Sequence, residues 1–347
     1  MRKIRTIIAI FCILCLIFSF GGCKTQASPH EKTVFNYFDT ISTIYSYAGD
    51  SEEDFAANCR RIETLLEKYH RLFDIYNEYE GINNLYTVNQ NAGGEPIAVD
   101  RELIDFLLYA KWLCEVTNGE MNVMMGSVLS LWHDCRAQVA ENASDAVLPT
   151  KSMLLFAAEH TSIDLLEIDE EKGTVRISDP LASIDVGAVG KGYATELVAQ
   201  GLKAKGVDAY VLDVGGNLRI IGRKPDGGTW VTGIKNPFDS HHFAEKLKIA
   251  DTSCVTSGDY ERYFELDGRR YHHIIDKDTL YPAEHFSSVT VVCENSGLAD
   301  ALSTALFCMS LDEGRALAER LEDVEVIWIT KEGEKLCTEG IAEMRSE

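Results

Sequence analysis

The segment "ENSGLADALSTALFCMS", residues 294–310, constrains the fold more than any other part of this sequence. From Leu298 to Met309 its residues are almost wholly apolar, so a helix here is buried on all of its faces. Ser296 is suited to cap the helix, and Asp300 is its only charge. A helix of this kind must be buried, with other elements packed against it.

Asp300 indicates a functional site, because a buried carboxylate is costly unless it is paired or bound to a metal. Thr304 lies one turn further along the same helical face, and Ser303 is adjacent to it. Carboxylate and hydroxyl oxygens suit Mg²⁺, which keeps open positions for phosphate groups. The alternative is that Asp300 only complements the helix N-terminus, while Thr304 bonds back to its own backbone.

A second segment, "ASIDVGAVGKGYATE", combines three glycines with an aspartate and a lysine at a strand-to-helix junction. This composition indicates close approach of the main chain to an anionic group. A Walker loop requires a glycine six residues before Lys191, where Asp185 stands instead. A dinucleotide fingerprint requires Gly-x-Gly-x-x-Gly, and the spacing here is the reverse. Neither familiar phosphate-binding motif is therefore present.

The segment "RRYHHIIDKDTLYPA" contains two adjacent histidines, His272 and His273. Adjacent side chains of an extended segment point to opposite faces, so at most one of them readily faces a pocket. That histidine is a candidate general base, and the alternative is a structural histidine with its hydrogen bonds satisfied. In "TSGDYERYF", Arg262 is a candidate phosphate contact, with a solvated arginine as the alternative.

The secondary-structure pattern favours an α+β fold with largely antiparallel sheets. "VFNYFDTISTIYSYAG" is predicted as a strand, and residues 52–73 as an amphipathic helix. A second helix is predicted to follow Asp100 as its N-cap. The later strands are short and bounded by turns. They do not alternate strictly with the later helices, which are predicted at 190–205, 296–309 and 312–321. This pattern argues against a doubly wound sheet.

Six segments in a fixed order resemble the ApbE family of FAD:protein FMN transferases: "FDTIST", "ASIDVGAVGKGYA", "LDVGGNLRIIG", "TSGDYERYF", "YHHIID" and "SGLADALSTALF". The similarity runs from about Val34 to the C-terminus. It implies a single T-fold-like α+β domain that binds FAD in a cleft, with magnesium at the FAD pyrophosphate.

The resemblance also implies which residues form the site. The implied metal ligands are Asp300, Thr304, Ser303 and the carbonyl oxygen of Ala188, and His273 is the candidate base. The implied FAD contacts are Phe38, Tyr76, Glu120, Met121, Asn122, Asp185, Lys191 and Ile274. Three places depart from the family pattern: Phe38 replaces the usual methionine, "MNVMM" replaces the usual third contact segment, and Lys277 and Leu280 replace proline and glycine.

The activity that the resemblance implies is transfer of FMN from FAD to a threonine hydroxyl of a target flavoprotein, with release of AMP. Family targets are flavin-carrying subunits of membrane redox pumps, with acceptors in an Asp/Ser-Gly-x-Thr/Ser-Ala-Thr-like motif. Two alternatives remain open from the sequence. One is a pyrophosphatase that splits FAD into FMN and AMP with water, and the other is a surface lipoprotein that binds FAD without chemistry.

The N-terminus predicts export and lipid attachment. Arg2, Lys3 and Arg5 precede "IIAIFCILCLIFSF", an apolar run that is too short to span a bilayer as a stable helix, and "FGGC" follows. We expect a lipoprotein signal peptide at 1–22, a lipidated Cys23 that begins a tether at 23–33, and a transferase domain at 34–347. The enzyme would then be anchored at the extracytoplasmic face of the cell membrane. An ordinary secretory signal or an uncleaved anchor is the alternative.

The net charge of −22 argues against nucleic acid as a partner. A polyanionic ligand must therefore be held by local cations, backbone amides or a metal. The seven cysteines after Cys23 form neither a disulfide framework nor a zinc motif, so at least one free thiol is expected.

Overall fold

The computed structural model describes residues 29–142 and 146–346, and their backbone forms strands and helices in the following chain order. The strands are β1 (His30–Tyr37), β2 (Thr40–Ser46), β3 (Ile97–Ala98), β4 (Leu166–Asp169), β5 (Thr174–Ile177), β6 (Tyr210–Val214), β7 (Asn217–Ile221), β8 (Trp230–Asn236), β9 (Asp239–Ile249), β10 (Ser253–Gly258), β11 (Tyr263–Leu266), β12 (Arg269–His272), β13 (Phe286–Cys293), β14 (Glu325–Thr330) and β15 (Lys335–Cys337). The α-helices are α1 (Glu52–Phe73), α2 (Leu85–Gln90), α3 (Arg101–Val116), α4 (Gly126–Asn142), α5 (Lys151–Ala158), α6 (Gly190–Lys203), α7 (Ser296–Cys308), α8 (Leu311–Arg320) and α9 (Ile341–Met344).

The largest sheet has eight strands in the order β1-β2-β6-β7-β10-β13-β14-β15, and every neighbouring pair is antiparallel. Three smaller sheets, β3-β5-β4, β8-β9 and β11-β12, are antiparallel as well. The chain folds as one α+β domain. The predicted fold class, with largely antiparallel sheets and packed helices, is confirmed.

Helix α7 is buried, as its composition predicts. Eleven of its thirteen residues are buried. One side packs against strands β10 and β13 of the large sheet, and the other packs against α6. The predicted cap was wrong by one residue, because Asn295 is the N-cap and accepts a hydrogen bond from the Leu298 amide at 2.9 Å. Ser296 is instead the first helical residue, and its hydroxyl donates to Asn217 on β7.

The N-terminal part of the domain contains a hairpin where one strand was predicted. β1 and β2 pair in antiparallel register, and Phe38 and Asp39 form the two-residue loop between them. β1 begins at His30, within the segment 23–33 that was predicted as a tether. The sequence analysis assigned the first residues of β1 to the tether because most of their side chains are polar. The predicted signal peptide and Cys23 lie outside the described residues.

Two further predictions concern the helices near the N-terminus and the cysteines. α1 has the predicted bounds, and α3 follows Asp100 as predicted, although the Asp100 side chain makes no capping hydrogen bond. Within the described residues all seven cysteines are unpaired, and all except Cys337 are buried. In that part of the chain, no helix has the length and apolar character needed to cross a membrane.

Candidate functional site

A cleft of about 1110 Å³ brings together residues from distant parts of the chain. A volume of this size can accommodate a ligand at the large end of the usual small-molecule range. Twelve of the predicted site residues line the cleft: Phe38, Tyr76, Glu120, Met121, Asn122, Asp185, Ala188, Lys191, His273, Ile274, Asp300 and Thr304. Ser303 is buried and does not line it.

Asp300 is held against the first turn of α6. Its Oδ2 atom accepts a hydrogen bond of 2.7 Å from the Gly192 amide, and Lys191 Nζ lies 3.7 Å from its Oδ1 atom. The residue is only 5% exposed. Burial raises the pKa of this carboxyl above its usual value, and Lys191 and the amide only partly oppose the shift. A cation placed in the cleft beside Asp300 would stabilise its charged form.

Gly192 permits the close approach of α6 and α7. A Cβ atom at this position would lie 2.4 Å from Asp300 Cβ, 2.5 Å from the Ser296 carbonyl oxygen and 2.9 Å from Asn217 Nδ2. None of these atoms is the far end of a long flexible side chain. The glycine is therefore needed to place the Asp300 carboxylate at the start of α6.

Three hydroxyl groups are linked beside Asp300. Ser303 donates to the Asp300 carbonyl oxygen at 2.9 Å, so its own oxygen is free to accept from Ser257 at 2.8 Å. Ser257, at the end of β10, also lies 3.2 Å from Thr304 Oγ1. Ser257 lines the cleft and was missed from the sequence. It fixes the position of α7 relative to the sheet, and with it the direction of the Thr304 hydroxyl.

The oxygen atoms around Asp300 fit a hard cation such as Mg²⁺. The Asp300 carboxylate, the Thr304 hydroxyl and the Ala188 carbonyl belong to residues that line one cleft. Gly192 lies in the first turn of α6, where backbone N–H groups have no acceptor within the helix, and its amide donates to Asp300 instead. Within the described residues no group of three or more His, Cys, Asp or Glu side chains could hold a metal. A single carboxylate is typical of magnesium sites completed by water and by phosphates of the substrate.

The structure separates the two adjacent histidines. The His272 ring is buried, and Nε2 donates to the Ala283 carbonyl at 2.8 Å while Nδ1 accepts from the Ile274 amide at 3.3 Å. Both of its ring nitrogens are therefore engaged. His273 lines the cleft, and its Nδ1 donates to the Arg262 carbonyl at 3.1 Å. This bond fixes the tautomer and leaves the Nε2 lone pair unused. Burial lowers the pKa of His273 to about 3, so its ring is neutral at pH 7.

Polar residues from α4 complete another part of the cleft. Asp185 Oδ1 accepts a hydrogen bond of 2.8 Å from the Gly187 amide, and His133 Nδ1 lies 3.9 Å from Asp185 Oδ2. Arg136, one turn after His133, also lines the cleft, as does Arg262. The sequence analysis missed His133 and Arg136. Their three-residue spacing puts them on one face of α4, but nothing in the sequence indicates that this face meets the cleft.

The predicted FAD contacts occupy different environments. Phe38 lies in the loop of the β1–β2 hairpin with φ 53°, and Tyr76 is 58% exposed at the cleft. Aromatic side chains so placed can stack on a planar ligand. Met121 is buried, whereas the Asn122 side chain donates to the Thr161 carbonyl at 2.8 Å and accepts from the Met124 amide at 2.9 Å. The Asn122 side chain is thus already used to shape the cleft wall.

The departures at Lys277 and Leu280 have structural explanations. Lys277 Nζ lies 3.2 Å from Glu120 Oε1, and the pKa of Glu120 is nevertheless raised by burial. Leu280 keeps the left-handed conformation that favours glycine, with φ 64°. That conformation costs about 1–2 kcal/mol. Leu280 is buried with Trp132 and Tyr271, and burial of a leucine contributes about 1.5–3 kcal/mol, which offsets the strain.

The antiparallel α+β fold and the cleft define a class of protein in which one buried carboxylate, that of Asp300, lines a ligand-sized pocket. Residues 38–328 match the model of the ApbE family, and the chain belongs to that family. A Vibrio cholerae protein named FAD:protein FMN transferase is 32% identical over 317 residues, 90% of each chain. A Treponema pallidum protein of the same name is 28% identical over 96% of this chain and 93% of its own. The crystal structure of an ApbE protein from Thermotoga maritima superposes on this chain with a TM-score of 0.80 at 26% sequence identity. The superposition covers 92% of this chain and 100% of the Thermotoga chain.

Proposed function

We propose that this protein is a magnesium-dependent enzyme that transfers FMN from FAD onto a threonine hydroxyl of target flavoproteins, with release of AMP. The observation that carries the proposal is the cleft, in which twelve residues predicted from distant segments meet. Membership of the ApbE family and the names of the relatives support the reaction. The expected targets are flavin-carrying subunits of membrane redox pumps.

Asp300, Thr304 and the Ala188 carbonyl oxygen would hold the magnesium ion, with Ser303 fixing the position of Thr304 through Ser257. When bound, magnesium neutralises pyrophosphate charge and stabilises the AMP leaving group. Lys191 supplies a further positive charge next to Asp300. Local charges of this kind allow a strongly acidic protein to hold an anionic ligand without a basic surface.

His273 has the geometry of the general base. The unused Nε2 lone pair can accept the proton of the threonine hydroxyl as the threonine oxygen attacks the FMN-side phosphorus. The new phosphorus–oxygen bond replaces the bond to AMP, which leaves with the electron pair. The low pKa keeps the ring unprotonated before reaction. A bound pyrophosphate close to the ring would raise this pKa, and therefore its strength as a base.

The decisive experiment uses the purified domain, FAD and magnesium, with a synthetic peptide containing Asp-Gly-Ala-Thr-Ala-Thr as acceptor. We expect a covalently fluorescent peptide and an equal amount of AMP. A peptide in which alanine replaces both threonines is the matched control and should stay unlabelled. Release of FMN and AMP at the same rate without peptide would support the pyrophosphatase. Binding of FAD without turnover would support the non-catalytic lipoprotein.

The proposal includes attachment to the extracytoplasmic face of the membrane through lipid on Cys23. The sequence pattern at residues 1–23 supports it. Replacing the cysteine, Cys23→Ser, should release the protein from the membrane fraction and leave transfer to a soluble peptide unchanged. Retention of the variant in the membrane would indicate an uncleaved helix.

A further inference from the structure

The strand β8 has an open edge in the cleft. β8 pairs with β9, and within the described residues no other strand pairs with it. Six consecutive residues, 230–235, line the cleft. Successive side chains of a strand point to opposite faces of the sheet. If one face of a strand met the cleft, only every second residue would line it. Consecutive lining residues therefore indicate that the main-chain edge of the strand faces the cleft. Unpaired N–H and C=O groups of β8 are therefore accessible from the cleft.

Exposed apolar side chains lie beside this edge. Val231 is 54% exposed and Ile41 is 59% exposed, and both line the cleft. Tyr47, which also lines it, packs edge-on against Trp230 at a centroid distance of 4.6 Å. Proteins usually protect open strand edges with charges, prolines or covering elements, because such edges pair with other chains. An open edge with apolar flanks is suited to pairing with an extended segment of another polypeptide.

We propose that the edge of β8 is the docking site for the acceptor segment of the protein substrate, which binds there as an added strand. The inference rests on the proposed function, because that reaction requires a polypeptide hydroxyl to enter this same cleft. Continuity with the reaction site favours this occupant, since His273, Thr304 and β8 line one cavity. Six strand residues extend about 20 Å, enough to hold a short acceptor motif along its whole length.

This mode of binding has a consequence for specificity. Main-chain hydrogen bonds to β8 give affinity that depends little on the acceptor's side chains, and alternate acceptor side chains meet the apolar flank. Acceptor segments should therefore be recognised by their extended conformation more than by charge.

The experiment compares two matched variants, Val231→Asp in the edge and Val147→Asp on the surface. Val147 is 70% exposed and does not line the cleft. For the peptide Asp-Gly-Ala-Thr-Ala-Thr, we expect Val231→Asp to raise KM about tenfold or more with the Kd for FAD unchanged. Val147→Asp should behave as the wild type. Acceptor peptides N-methylated at single backbone positions should lose transfer at every second position, because alternate amides of an added strand face β8.

The outcomes separate this inference from the proposed function. If the wild type labels the peptide but Val231→Asp has an unchanged KM, or N-methylation has no alternating effect, the docking site is wrong and the transferase stands. If the wild type does not label the peptide, the docking site can still be tested by measuring binding of the dye-labelled peptide through its fluorescence anisotropy. Binding that Val231→Asp weakens supports the docking site, and no binding overturns it. A change of oligomeric state in Val231→Asp would show that a second copy covers the edge, which also overturns it.

Discussion

Substitution of Gly192 by alanine tests how the proposed cation site is built. The added methyl carbon would lie 2.4 Å from Asp300 Cβ and 2.5 Å from the Ser296 carbonyl oxygen. Carbon atoms pack at about 3.5–4.0 Å, so α6 and α7 must separate by about 1 Å. Overpacking of this kind costs about 1–3 kcal/mol. The better helix propensity of alanine returns about 1 kcal/mol, so we expect a net loss of up to about 2 kcal/mol in the free energy of unfolding.

Urea denaturation measures the loss, with Gly201→Ala in the same helix as the control. At Gly201 the added carbon would lie 3.2 Å from Leu65 Cδ1, the end of a flexible side chain. Gly201→Ala should therefore be neutral or more stable by up to about 1 kcal/mol. Gly192→Ala should also need more magnesium for half-maximal transfer, because Asp300 loses its position at α6. Equal midpoints for the two variants would refute the close-approach argument.

Four other predictions address Asp300, Lys191 and the two histidines. Asp300→Asn should abolish transfer and keep the fold, because it removes a desolvated charge and the only carboxylate proposed for the metal; full activity at ordinary magnesium concentrations would contradict this. Lys191→Ala should raise the Kd for FAD, measured by fluorescence titration, and an unchanged Kd would indicate a solvated lysine. His273→Gln should lower kcat by about 10²–10⁴-fold with FAD binding retained, whereas His272→Ala should mainly lower stability, since both its ring nitrogens are hydrogen-bonded. The His273 pKa of about 3 lies below the unfolded value, so the unfolded state takes up the proton first and stability falls as pH decreases from about 6.5 towards 3. The His273→Gln variant should lose less stability than the wild type between pH 7.5 and pH 5.

Local pattern was sufficient to predict the buried helix, its one charge and the antiparallel α+β class. Residues of α7 are apolar on every face, and this property can be recognised without knowledge of any partner. The turn-bounded short strands likewise predicted the sheets. The resemblance predicted which segments belong to the site, and the structure places twelve of those residues around one cleft.

Conformations that oppose local preference could not be predicted in this way. Phe38 and Asp39 have φ of 53° and 50°, in a loop type that usually favours Asn-Gly. The sequence therefore predicted one continuous strand where the structure has a hairpin. Leu280 shows the same effect, because its burial holds a backbone conformation that the residue alone disfavours.

Groups that are far apart in the sequence also meet only through tertiary structure. The Gly192 amide meets the Asp300 carboxylate across 108 residues, and Ser257 meets Ser303 across 46. The orientation of α4 decides that His133 and Arg136 face the cleft. In the part of the chain that the structure describes, β8 pairs with β9 alone, which leaves its other edge unpaired at the cleft. The sequence by itself determined the helices α1, α3, α6, α7 and α8 and which of the later segments are extended, because these depend on neighbouring residues. The tertiary structure decided which side chains and main-chain edges share the cleft, because that depends on how the packed elements are placed in space.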